Sequence, residues 1–174
     1  MNEKIEKAFN DQINAEMFSG YLYLAMSGYF LNLNLDGFAS WMKMQAMEEL
    51  YHAIKFFSHI NERGGRVNLQ PVDGPDNEWD SPLAAFEAAY KHEQYITGRI
   101  AKLMDLAREE NDFPAQSFLQ WFVDEQVEEE ATADNAVQQL KMIGDSGHGL
   151  LMLDREMAQR TFTPPPDFAG GDGE

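Results

Sequence analysis

Apolar residues recur at three- and four-residue spacing through four long intervals that hold almost no proline, while Gly and Pro gather between them. That period marks amphipathic helices rather than strands. It predicts helices near Glu3 to Leu31, Gly37 to Arg63, Pro82 to Glu110 and Pro114 to Ile143. At ~1.5 Å per residue each is about 40 Å long. Local chemistry marks several ends. Ser81 can cap the third helix with Pro82 in its first turn, Pro114 opens the fourth, and Gly64-Gly65 can stop the second.

Connection lengths then constrain topology. Asn32 to Asp36 and Asn111 to Phe113 are too short to travel back along a helix, so the helices they join are antiparallel hairpins. Gly65 to Ser81, rich in Gly, Pro and Asp, can extend roughly 50 Å at ~3.3 Å per residue. The second and third helices can therefore run parallel. The expected fold is all-α: a four-helix bundle with one long crossover, second helix to third. After Gly144-Asp145-Ser146-Gly147, read as a flexible hinge, the run Leu150 to Met157 predicts a short fifth C-terminal helix, too apolar to stand in water alone. The tail from Thr163, with Pro164-Pro165-Pro166 and Gly170-Gly171-Asp172-Gly173, has the composition of a disordered end. Residues 1–162 then form one domain.

Followed at seven-residue intervals, which nearly superimpose on one helix face, each stripe is interrupted by one acid. The stripes read Phe9, Glu16, Tyr23, Phe30; Met42, Glu49, Phe56; Phe86, Glu93, Ile100, Ala107; and Ala115, Phe122, Glu129, Ala136, Ile143. A chain with thirty acids makes many solvated Glu-x-x-Glu faces, but these four glutamates have apolar neighbours on their stripes. A buried carboxylate is costly by several kcal/mol unless it is paired, coordinated or protonated. No basic residue stands beside them on the stripes, so a bound cation is the economical counter-charge.

Composition narrows the partner. Acidic residues outnumber basic ones 30 to 13, for a net charge of -17, which leaves no basic footprint for nucleic acid or an anionic membrane. The absence of cysteine removes disulfides, thiolate nucleophiles, iron–sulfur clusters and Cys-type zinc sites. No run approaches the ~18 apolar residues of a membrane span, and the start has no signal-like pattern, so a cytoplasmic protein is expected. Glu49-x-x-His52 places a carboxylate and an imidazole on one helix face. Glu16, Glu49, Glu93 and Glu129 together balance two divalent ions. An oxygen-rich set with one histidine suits iron or manganese better than structural zinc, and calcium would draw oxygen ligands from a loop. Iron is the first choice.

The opening NDQINAEMFSGYLYLAMS, the stretch EELYHA, the crossover RGGRV with WDSPLAAFE, and FLQWFVDEQVEEE resemble the non-haem ferritins of bacteria and archaea, from about Ile5 to Arg160. The resemblance implies a ferritin-like fold and a ferroxidase. Glu16, Glu49 and His52 would bind the first iron, while bridging Glu49 joins Glu93 and Glu129 on the second and Gln126 lines the same site. Two Fe(II) ions would react with O2 or H2O2, and the Fe(III) would enter an oxide mineral inside a hollow homo-oligomeric shell of 24 subunits. Tyr23 matches the family tyrosine beside the centre, where it could hydrogen-bond a ligand or supply an electron; a core tyrosine is the equal alternative. Glu48, Glu125 and Glu128 match a third iron site that shares Glu129. The chain departs from bacterioferritin in carrying Gln126-x-x-Glu129 without a second imidazole and Leu50 in place of the haem-ligating Met, so no haem is expected.

Other residues have plainer readings. His59 could extend a metal path, but packing is the simpler account of it, as of His92 and His148. The methionines fill core or interface, and Trp41, Trp79 and Trp121 are packing anchors. Two other functional classes compete: a smaller di-iron redox enzyme that removes peroxide and stores nothing, and a silent structural or cation-buffering subunit.

Overall fold

The computed structural model describes residues 1–163, among which five helices follow one another. They are α1 (Glu3–Asn32), α2 (Asp36–Glu62), α3 (Pro82–Glu109), α4 (Phe113–Ile143) and α5 (Gly147–Met157). The four long helices fall within one or two residues of the ranges expected from periodicity. No described helix is long and apolar enough to cross a membrane. The expected tail lies, beyond Thr163, outside the described residues.

Each boundary has a local cause. The Asn2 side chain accepts from the Lys4 amide at 2.8 Å, Ser81 Oγ accepts from Ala84 N at 3.1 Å, and Asp112 Oδ1 accepts from Ala115 N at 3.0 Å. At the end of α2, Gly64 takes φ +68°, a conformation that glycine adopts without a Cβ penalty. The Gly65 amide then returns to Ile60 O at 2.8 Å, and the helix stops as expected. Arg63 reaches across to Asp112 at 3.0 and 3.3 Å, tying the end of α2 to the start of α4.

The crossover is held along α1 by two asparagines. Asn10 donates to Arg66 O at 3.0 Å and accepts from Asn68 N at 2.6 Å, while Asn14 donates to Pro71 O at 2.9 Å. These side chains satisfy backbone groups of a segment with no ladder of its own. They fix the first part of the crossover to α1, and α2 and α3 run parallel.

The core is two clusters rather than one. Towards one end, Met26, Phe30, Phe38, Met42, Phe86, Ala136 and Leu140 pack together. At the other end the cluster is built from Ile5, Phe9, Phe56, Ile60, Ile100, Leu119 and Phe122. Helices α1 and α4 run from the second cluster to the first, and α2 and α3 run the opposite way. Between the clusters, every long helix contributes polar side chains that are nonetheless buried.

The fifth helix corrects one expectation. Gly147 does not end a hinge but, with His148 and Gly149, forms the first turn of α5, because Ser146 Oγ accepts from Gly149 N at 3.1 Å and caps it. The packing expected of this helix is found on α2. Leu153 and Met157 join the first core cluster, and Asp154 accepts from Phe38 N at 2.9 Å. Leu35 caps α2 with no side-chain bond, so Asp154 supplies the missing acceptor, and its charge suits a helix N-terminus. The backbones approach so closely that a Cβ on Gly37 would lie 1.6 Å from Asp154 O. Gly37→Ala is therefore expected to push α5 off α2 and destabilise the protein by about 1–3 kcal/mol. Thermal melting of the assembled protein checks this, and an unchanged midpoint would contradict it.

Candidate metal centre

Glu16 comes from α1, Glu49 and His52 from α2, Glu93 from α3, and Gln126 and Glu129 from α4. All six are between 0 and 4% exposed. The heptad stripes that bury Phe9, Phe56, Phe86 and Phe122 carry the glutamates inward at the mid-level, where the two apolar clusters leave a polar layer. His52 Nδ1 lies 3.5 Å from Glu49 Oε2. The ligand atoms of Glu16, Glu49 and His52 are within 4.8 Å of one another, and so are those of His52, Glu125 and Glu129. His52 belongs to both groups.

Glu16 Oε2, Glu49 Oε2 and His52 Nε2 are buried without a hydrogen-bond partner. Unsatisfied acceptors of this kind are rare in native interiors because each loses its hydration without replacement. Donors within this spacing can be drawn onto one cation with bonds of ~2.1 Å by small side-chain shifts. The residues present fit such a cation.

Electrostatics point the same way. Burial, before any neighbouring charge, pushes all four carboxyls above the usual range. Glu93 rises to about 7 and Glu129 to about 8. Glu49 is driven well up, by burial first and then by Glu93, Glu16 and Glu129 around it. Without a cation this layer holds protons.

A second set of polar side chains orients the first. Gln12 donates to Glu16 Oε1 at 2.8 Å and accepts from Arg99 Nε at 2.8 Å, which leaves Glu16 Oε2 free to face the layer. Gln45 donates to Glu129 Oε2 at 2.5 Å. Tyr23 donates its hydroxyl to Glu93 Oε1, and Gln126 donates to Glu93 Oε2 and Thr97 Oγ1, each at 3.3 Å. Tyr23 thus touches a carboxylate of the layer, while the amide of Gln126 is turned towards Glu93. Sequence reasoning missed Gln12, Gln45, Thr97 and Arg99. Gln12 and Gln45 stand four residues before Glu16 and Glu49, so an amide one turn ahead of these two acids was the available signal, although Gln45 bonds Glu129 and not Glu49.

The expected third group is only partly assembled. Glu125 is half-buried beside His52 and Glu129. Glu48 is held by Arg160 at 2.7 Å, and Glu128 is exposed. Of the remaining histidines, His59 stacks on Phe118 with ring centres 4.0 Å apart, and His92 meets Ser19 Oγ at 2.8 Å. Neither joins a metal-competent group among the described residues. Trp121 packs edge-on against His52 at 5.4 Å.

Set beside known proteins, a bundle with this layer has a clear family. A family model described as the ferritin-like domain matches residues 6–143, four-fifths of the chain. The bacterial non-heme ferritin of Bacteroides fragilis is 42% identical over 160 residues, covering 92% of this chain and 99% of that protein. The one from Staphylococcus aureus is 36% identical over 162 residues, covering 93% and 98%. A crystal structure of an open-pore ferritin from the hyperthermophilic archaeon Archaeoglobus fulgidus superposes with a TM-score of 0.92 at 52% identity, covering 92% of this chain and 99% of its own. An engineered closed form of the Archaeoglobus fulgidus ferritin gives 0.93 at 52% identity, covering 94% and 99%. The chain belongs to the ferritin family.

The raised carboxyls predict how the metal-free protein responds to pH. Below the ordinary value of 4.5, Glu93 and Glu129 are protonated whether the chain is folded or not. Above it the unfolded chain ionises first, so stability falls as pH rises through their folded values of about 7 and about 8. Melting temperature is expected to fall from about pH 5 to about pH 8, with a shallower fall in Glu129→Gln and after addition of a divalent ion. A flat profile that neither change alters would contradict the account.

Proposed function

We propose that the protein is an iron-storage ferroxidase. Glu16, Glu49 and His52 take one Fe(II), Glu49 bridges to a second held with Glu93 and Glu129, and Gln126 lines the second position. The observation that carries this reading is the dry layer itself: four buried carboxyls and an imidazole, with orphaned atoms on Glu16, Glu49 and His52. Support comes also from relatives named as non-heme ferritins. The donor set is rich in oxygen with a single imidazole, which suits iron at the hard end of its chemistry.

Iron is substrate here, and the protein's own steps are binding, proton release and positioning. Carboxyls that hold protons in the empty layer give them up as Fe(II) enters, because the ions replace protons as counter-charge. Gln12 and Gln45 keep Glu16 and Glu129 aimed at the layer, and the hydroxyl of Tyr23 steadies Glu93. Each Fe(II) yields one electron, so a pair of ions reduces O2 to H2O2, or H2O2 to two waters. Fe(III) then leaves for an oxide mineral inside a hollow 24-subunit homo-oligomer in the cytoplasm. No haem takes part: Leu50 offers no ligand.

Adding Fe(II) anaerobically to metal-free protein and then admitting oxygen tests the reading, with ferric absorbance and particle mass followed together. About two ions per chain should oxidise fast, followed by retention of hundreds in a large particle. Saturation at two or three in a small oligomer would make this a di-iron redox enzyme instead. Glu129→Ala is expected to slow the first oxidation by roughly tenfold or more, whereas Glu128→Ala leaves that phase intact and alters later turnover. Equal, negligible effects would sink the assignment. Fluorescence of Trp121, in contact with His52, reports binding directly.

A further inference from the structure

From α5 onward the described chain is anchored to α2 at three points. Asp154 fixes α5 to the start of α2, Arg160 reaches Glu48, and Phe162 packs against Tyr51 with ring centres 6.4 Å apart. Arg160 Nη2 donates to Glu48 Oε2 at 2.7 Å across 112 residues of sequence, and both side chains are only 19% exposed. Its guanidinium carbon also sits 4.6 Å from the centre of the Trp41 ring. A charge-assisted bond and a cation–π contact therefore fix one cation in one place.

That place borders the second metal-competent group. Glu48 precedes the candidate ligand Glu49, and Glu125 and Glu129 lie with His52 across from it. Lys55 is another cation near this group, its ammonium lying over the rings of Trp121 and Tyr51 at 4.3 and 5.2 Å. The inner layer differs: among the described residues no Lys or Arg forms an ion pair with Glu16 or Glu49, and Glu16 Oε2, Glu49 Oε2 and His52 Nε2 have no hydrogen-bond partner.

We infer that Arg160 is a built-in counter-cation of the outer carboxylates, holding Glu48 until a third metal ion displaces it, so that the strap after α5 sets the affinity for that ion. This rests on the metal-centre reading above. An ion that uses Glu48 Oε2 must displace the 2.7 Å bond from Arg160, whereas no bond from a Lys or Arg has to be displaced at Glu16, Glu49 or His52 among the described residues. The outer ion is consequently held more weakly than the inner two.

Zinc, divalent and redox-inert, is the probe. Calorimetric titration of the full-length assembled protein should show two tight zinc ions per chain and a weaker third. Arg160→Gln is expected to tighten the third by about fivefold or more while changing the first two much less. Arg160→Lys, which keeps the charge, stays near the wild type, and Glu48→Gln combined with Arg160→Gln loses the gain. An unchanged third isotherm in Arg160→Gln, or a gain that survives without the Glu48 carboxylate, would overturn the inference. Loss of the two tight ions in the wild type would refute the metal-centre reading instead, and the Glu48-dependent difference between variants would still decide the role of Arg160.

Discussion

Four carboxyl groups in a dry layer between two apolar clusters cannot all carry charge without cations among them. Their mutual repulsion adds to the loss of hydration, and both effects push them towards protonation. The rest of the molecule is arranged around that constraint. The aromatic and aliphatic packing above and below the layer supplies the stability that the layer itself does not. Parallel running of α2 and α3 brings one acid from each long helix to the same level. The long crossover that makes this possible has no secondary structure of its own, and Asn10 and Asn14 hold it down through its backbone.

Around the acids lies a set of uncharged hydrogen-bonding side chains that orient without neutralising. Gln12, Gln45, Gln126 and Tyr23 each donate to a carboxylate of the layer. Arg99 brings positive charge into this network through its bond to Gln12. Amide and hydroxyl donors fix geometry while leaving net negative charge for a metal, whereas an arginine directly on each acid would have filled the site. On the outer side the chain does use an arginine, and Glu48 is accordingly the acid whose charge is already answered.

Much of this was legible from residue order because helices repeat. A heptad stripe broken by one acid can be read within a single helix, and four stripes broken at mid-length mark Glu16, Glu49, Glu93 and Glu129, all of which the fold buries. Cross-chain partners could not be read that way. Arg160 meets Glu48 only because α5 docks on α2, and that docking depends on Asp154 meeting the Phe38 amide over a glycine. The start of α5 was misplaced for a local reason: two glycines beside His148 resemble a hinge unless the capping hydroxyl of Ser146 outweighs their backbone freedom. Glu128 illustrates the opposite limit, since spacing put it with Glu125 while the fold leaves it exposed on α4.

The central claim is that the polar layer is a paired cation site rather than a set of protonated core acids. Anomalous diffraction at the iron edge, from crystals loaded anaerobically with Fe(II), addresses it most directly. The account predicts two peaks per chain on either side of the Glu49 carboxylate, one beside Glu16 and His52 and the other beside Glu93 and Glu129. Peaks confined to the surface acids, with the layer between the two apolar clusters empty at saturating iron, would contradict it.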